Sequence, residues 1–255
     1  MEMSGRVKSG ICLVTLVALA SGCGASSSHG VAGAKKTIVH RCAPGAERAV
    51  GDRRVAWAAV ARRTTTAYRA PGRGAIERFG LRNVNRVPTV FSVVAERLDT
   101  RCRPTWLRVG LPLRPNGITG WVRASSVLRL PVHTRITVDL SERKVRLYRN
   151  GRLVLESRAA VGSSATPTPV GRYYVNQRLV PRDPTGPFGP GAVGISAFSS
   201  VLTGWTQGGP IAIHGTNEPW SIGHAVSNGC IRLPNAALRR LFRLTLAGTP
   251  VVIRR

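Results

Sequence analysis

Carboxylates are scarce in this sequence: eleven Asp and Glu stand against 38 Lys and Arg, a formal charge of +27. They fall singly or in loose pairs such as Glu96 and Asp99. A paired-carboxylate mechanism or an oxygen-ligand metal cage needs such groups clustered, so both chemistries are disfavoured. No C-x-x-C occurs, which leaves structural zinc and thioredoxin-type redox motifs without a foothold. No apolar run near the amino terminus is long enough to span a bilayer: Ile11 to Ala20 gives ten residues, where about 20 are needed. Lysine is nearly absent, at Lys8, Lys35, Lys36 and Lys144 only, so dispersed arginines carry the charge. A positive field of this kind adheres to polyanions, and it reads equally as Arg-biased composition; charge alone does not choose among nucleic acid, anionic lipid and acidic wall polymer.

What is present favours β-structure. Apolar residues make up 43% of the chain, and 28 Gly with 17 Pro imply many turns. At roughly 150 residues per domain the length suits two modest domains. Ahead of them, Arg6 and Lys8 precede the apolar stretch in the manner of a secretory signal. The run Ala20-Ser21-Gly22-Cys23 resembles a bacterial lipobox, in which the cysteine is lipidated and becomes the new amino terminus; Ala20 stands where Leu is usual, and an ordinary secretory cut after Ala20 is the alternative. Two acyl chains on Cys23 suffice for stable anchoring, which would hold the protein on the outer face of the cell membrane. Residues 1–23 are thus the signal, and residues 24–39, with few large side chains, a flexible tether. An exported chain would rarely meet nucleic acid.

Beyond the leader lie Cys42, Cys102 and Cys230. An oxidising compartment pairs two of three thiols and leaves one. Cys42 and Cys102 share one candidate domain and are the expected pair, buried thiols being the alternative.

Residues 40–131 hold short β-type runs at 89–95, 106–111 and 119–122, with Pro115-Asn116-Gly117 as a turn. The pattern W-L-R-V-x-L-P-x-R-P-N-G-x-x-G-W-V resembles the closing hairpin of a bacterial SH3-like domain. It implies a small barrel that binds wall polymer or positions substrate, or one that only spaces the second domain. In residues 132–255, runs at 136–140 and 145–148 read as strands, followed by the hairpin signal Asn150-Gly151. Residues 162–171 carry two prolines and read as an ordered loop. Residues 181–194 are too rich in Pro and Gly for a regular element, and a loop of that length is expected to act as a lid or a binding edge. Asn235 is expected to cap a short amphipathic helix ending at Leu244, with a last strand at 251–253.

The chemistry gathers around one thiol. Ile211-Ala212-Ile213 is a buried-strand signal that ends at His214, and sixteen residues later Cys230 stands in Ser227-Asn228-Gly229-Cys230-Ile231-Arg232. A free thiol with a pKa near 8.5 is only about 3% thiolate at pH 7, and a positioned imidazole is the usual remedy. His214 is the candidate base; His224, in the intervening loop, lacks the strand-end context. Gly229 permits a tight turn in which the amides of Gly229 and Cys230 face a developing oxyanion. Arg232 adds a fixed positive charge for a substrate carboxylate or for the thiolate. Thr216 and Asn217 read equally as turn residues and as substrate contacts.

These strings, I-H-G-T-N and S-x-G-C-I-R-L, preceded by P-T-P-x-G and closed by G-T-P-V, resemble the L,D-transpeptidase (YkuD-type) catalytic domain over residues 133–255. The resemblance implies a mainly β protein, its catalytic part a β-sandwich or barrel with one short helix. Cys230 would be the acyl-accepting nucleophile, His214 its base, and the Gly215 carbonyl the holder of the imidazole. Ser227 would support the site by hydrogen bonding, and Arg232 would help seat the substrate. Many members carry His directly before the Gly-Cys pair, where this chain has Asn228; the departure bears on a second motif histidine and leaves His214 and Cys230 untouched. The implied reaction is peptidoglycan cross-linking. Cys230 takes the acyl group of the third residue of a tetrapeptide stem, terminal D-alanine leaves, and a neighbouring stem amine accepts the acyl group. No metal or organic cofactor is implied; the partners are stem peptides, anionic wall polymers and the membrane through the anchor. A catalytically silent wall-binding lipoprotein is the competing reading.

Overall fold

Alternation of apolar and polar side chains gives strands wherever one side of a sheet can be buried. A computed structural model describes residues 42–255; the signal, the Cys23 lipobox and the tether lie outside them. In chain order the first strands are β1 (Glu47–Ala49), β2 (Ala56–Ala61), β3 (Thr65–Ala70), β4 (Arg73–Phe79), β5 (Val90–Leu98), β6 (Pro104–Gly110), β7 (Thr119–Arg123) and β8 (Val127–Val132). They form one eight-stranded sheet in the order β4-β3-β7-β6-β5-β2-β8, with β1 also on β5. Phe91, Leu107, Val109 and Val122 fill its core. Cys42 and Cys102 are joined by a disulfide with an S–S distance of 2.03 Å, which ties the lead into β1 to the β5–β6 turn. Glu96 is 1% exposed and is held by ion pairs with Arg48 and Arg129, so this sparse carboxylate braces the sheet.

Past His133 the chain continues as β9 (Thr134–Asp139), β10 (Lys144–Arg149), β11 (Arg152–Arg158), β12 (Val161–Gly162), β13 (Gly171–Leu179), β14 (Ala192–Phe198), β15 (Pro210–His214), β16 (Ala225–Ser227), β17 (Ile231–Arg232), the helix α1 (Asn235–Leu244) and β18 (Pro250–Arg254). The second eight-stranded sheet runs β11-β10-β9-β18-β13-β14-β15-β17, and β12 pairs with β16 separately. Asn150 and Gly151 both have positive φ, 51° and 79°, as a two-residue primed turn requires, and Arg149 faces Arg152 across it. The final strand lies inside the sheet, parallel to β9 and antiparallel to β13. Ile136, Val138, Leu147, Val193, Ile213 and Ile231 are fully buried on one face, with Leu238 and Leu241 of α1 packed against them. Each such side chain contributes about 1.5–3 kcal/mol by leaving water.

Two expectations need correction here. Residues 192–194 already belong to β14, so the irregular segment ends at Gly191. And α1 is not capped by Asn235: the cap position is Pro234, without a side-chain hydrogen bond. A tertiary contact takes the Asn235 carboxamide elsewhere, as described below.

The two sheets belong to one packed unit. Arg114 donates to the carbonyls of Ser199 and Gly208 at 2.7 and 2.6 Å. Asn116 bonds Phe198 in both directions, at 2.8 and 2.9 Å. The β6–β7 turn therefore holds the segment that leads into β15.

Candidate active site

The site is built on the far edge of the second sheet. Ile211 and Ile213 of β15 point into the core, which turns Ala212 and His214 to the opposite face. β17 runs parallel to β15, with Ile213 beside Ile231 and His214 beside Arg232. Cys230, one residue before Ile231, therefore stands beside Ala212 and shares a face with His214 and Arg232. With strands about 4.8 Å apart and a rise of about 3.3 Å per residue, the Cα atoms of such diagonal neighbours lie roughly 8 Å apart. Side chains reach across that gap. Parallel neighbours also need a crossover of a dozen or more residues, and the sixteen-residue step from His214 to Cys230 is that crossover.

His214 is 4% exposed. Its Nδ1 lies 2.6 Å from the carbonyl of Gly215; that contact places the proton on Nδ1 and leaves the Nε2 lone pair free to accept one. The Phe188 ring packs against the imidazole edge-on, with centroids 5.0 Å apart. Burial is the main reason that the His214 pKa falls to about 4; the Gly215 carbonyl opposes it and the Arg232 charge adds to it.

The Cys230 sulfur lies 4.0 Å from the Pro210 carbonyl. Burial raises its pKa, while the Ala212 amide and the Arg232 charge pull it down. Thiol and imidazole are thus both neutral at rest.

Ser227 is 1% exposed. Its hydroxyl donates to the Cys230 carbonyl at 2.5 Å and accepts from the Gly229 amide at 3.2 Å. This departs from the expectation for Gly229: its N–H is held by Ser227 and does not face an oxyanion. The turn needs glycine, with φ of 101° and the Cδ1 of Ile211 only 3.1 Å from where a Cβ would sit. Arg232 is ion-paired with Glu218, so part of its charge is already answered.

Thr216 is 5% exposed and is taken up by turn contacts: its hydroxyl accepts from Glu218 N at 2.9 Å. Asn217, Asn228 and His224 are exposed, and the His224 carbonyl accepts from Val161. Three supporting residues were not assigned from sequence. Asn235 clamps the loop after His214, its Oδ1 accepting from Thr216 N at 2.9 Å and its Nδ2 donating to Thr216 O at 3.0 Å. Thr166 and Thr168 donate to the carbonyls of Ser227 and Gly229, each at 2.9 Å. Thr168 sits inside the P-T-P-x-G string, the one local signal for it.

A buried imidazole and a thiol thus stand on one edge of a mixed sheet, with a glycine turn and a guanidinium beside them. The L,D-transpeptidase catalytic domain family, YkuD, matches residues 133–253. YkuD of Bacillus licheniformis is 40% identical over 172 residues, covering 65% of this chain and 93% of that protein. YkuD of Bacillus subtilis is 38% identical over 126 residues, 49% of this chain and 68% of that protein. Among solved structures, the catalytic domain of an L,D-transpeptidase from E. faecium shares 25% identity over 48% of this chain and 96% of its own, with a TM-score of 0.36. The chain belongs to the YkuD-type L,D-transpeptidases.

Proposed function

We propose that the protein cross-links peptidoglycan through a thioester on Cys230. The sulfur attacks the carbonyl carbon of the third residue of a tetrapeptide stem while His214 Nε2 takes the thiol proton. Because both groups start neutral, proton transfer accompanies C–S bond formation, and the buried imidazolium gains its counter-charge from the oxyanion formed in the same step. The intermediate collapses with cleavage of the C–N bond, and the leaving D-alanine amine takes the proton from Nε2. The side-chain amine of a second stem then attacks the thioester, gives a proton to Nε2, and the departing sulfur recovers it. Arg232 adds positive potential to both anionic states. The loop that carries Phe188 covers the imidazole and shields the thioester from water.

The register that sets Cys230 and His214 on one face of adjoining strands carries this reading. Around it we place an anchor at lipidated Cys23, a location on the outer face of the membrane, and a first sheet that serves as an SH3-like module toward anionic wall polymer. Intact-protein mass spectrometry after exposure to a tetrapeptide stem or a carbapenem tests the activity. An adduct on the parent protein that is missing from Cys230→Ala supports it; no adduct on either refutes it and leaves a wall-binding role.

A further inference from the structure

Where β13 meets β14, Val175 faces Ile195 and Gln177 faces Gly194. Asn176 is therefore an extra residue, a bulge of the kind that re-aims side chains beside active sites. It turns both carboxamides over Gly194: a Cβ there would lie 2.6 Å from Gln177 Cγ and 3.2 Å from Asn176 Oδ1. Residues from the loop between β4 and β5 meet them. Asn83 and Asn85 donate to Gln177 Oε1 at 2.9 and 2.8 Å, and Gln207 donates to Asn85 Oδ1 at 3.1 Å.

This carboxamide cluster lines a cavity of about 410 Å³ that extends to Phe198 and Pro210, and the Pro210 carbonyl is the one 4.0 Å from the Cys230 sulfur. Along the sheet, Gly194 stands beside Ala212 and Ala212 beside Cys230. Two strand spacings, about 10 Å, separate the cluster from the thiol, the span of roughly three extended residues. The side chains between are only a hydrogen and a methyl, at Gly194 and Ala212. Asn176 Oδ1 is buried and has no hydrogen-bond partner. A buried acceptor left unanswered is costly, and an entering N–H group would satisfy it.

Carboxamides offer donors and acceptors without charge, which matches the main chain of an extended peptide. The direction of the chemistry assigns the peptide. His214 lies at the other end of β15 from Pro210, and the leaving and attacking amines both exchange protons with it, so they occupy the His214 side. Resting on the transpeptidase reading above, we propose that the cavity on the Pro210 side seats the acyl portion of the donor stem, its main chain read by Asn176 and by the Asn85–Gln177 pair. The loop between β4 and β5 then completes the substrate site, and the first sheet is part of the enzyme's specificity.

The test is calorimetric titration of a synthetic stem tetrapeptide into full-length Cys230→Ala protein, and into the same protein carrying Asn176→Ala or Asn85→Ala. Asn176→Ala breaks no internal hydrogen bond of its Oδ1, so it reads recognition rather than folding. Each change should weaken the tetrapeptide Kd about five- to tenfold, the effect of one neutral hydrogen bond. Alkylation of Cys230 by iodoacetamide in the single variants, which reads the thiol without stem recognition, should stay within about twofold of the parent. An unchanged Kd in Asn176→Ala overturns the proposal, as does a parallel loss of alkylation, which would make these residues props for the thiol. Absence of any tetrapeptide or carbapenem adduct on parent Cys230 would instead refute the transpeptidase reading, because the titration uses no thiol.

Discussion

The depressed pKa of His214 makes a pH prediction with a definite sign. Burial, with the Arg232 charge behind it, holds the imidazole at about 4 against an ordinary value of 6.5. At pH 5.5 an imidazole of pKa 4 is about 97% neutral, whereas one of pKa 6.5 is about 9% neutral. Carbapenem acylation should therefore run roughly tenfold faster at pH 5.5 than an unperturbed histidine would allow, and its acid limb should fall near pH 4. The same burial sets a stability window. Above pH 6.5 both folded and unfolded chains hold the imidazole neutral. As pH drops below 6.5 the unfolded chain binds a proton that the folded one refuses, and stability falls until about pH 4, by about 2–3 kcal/mol at pH 4.5. Asp52, Asp99, Asp139 and Asp183 have pKa values below the usual carboxylate range, mainly through hydrogen bonds to backbone amides or neighbouring hydroxyls. The stability they contribute is lost below about pH 4, outside the histidine window. Stopped-flow acylation across pH 4–8 and urea denaturation at pH 7 and 4.5 read both effects, with His214→Ala as the control whose stability should stay flatter. An acylation profile that bends near 6.5, or equal pH-dependence of stability in parent and control, would refute the reasoning.

Ser227→Ala leaves the buried Gly229 amide and the Cys230 carbonyl without their shared partner; urea denaturation should show a loss of about 1–3 kcal/mol, and acylation should slow at least tenfold. Phe188→Ala exposes the edge of the imidazole, so an NMR titration should find the His214 pKa raised toward 6.5, and product analysis should find more hydrolysis relative to transfer; unchanged partitioning would remove the shielding role. The Cys42–Cys102 bridge closes a separation of 60 residues, for which chain entropy predicts about 4 kcal/mol. The Cys42→Ser/Cys102→Ser protein should lose stability on that scale in urea while Cys230 still acylates at 25 °C.

The features legible in the sequence are local ones. Asn150-Gly151 demands positive φ at two positions and names its own hairpin, and the spacing of Leu238 and Leu241 marks the buried stripe of α1. The strand signal into His214 and the Gly229-Cys230-Ile231-Arg232 run located the edge on which the site is built. What escaped depends on residues far apart in the chain. Asn83 and Asn85 meet Gln177 across 94 and 92 positions, and no local pattern announces a bulge at Asn176. Asn235 shows the same limit from the other side: beside a helix start, an asparagine looks like a cap, and only the fold reveals that Thr216 claims its carboxamide. The Gly229 amide was misread because a glycine turn can present its N–H either way, and the Ser227 hydroxyl decides which.

The parallel ladder between β15 and β17 separates two properties that a motif search tends to merge. The connection returning the chain from His214 to Cys230 travels outside the sheet, and loop closure entropy grows only slowly with length. Evolution can therefore lengthen or trim that excursion without disturbing which atoms face each other, whereas a slip of a single rung would send the sulfur to the wrong side. Distant kin of this enzyme are better sought by the pairing of two short strands than by counting residues between two letters.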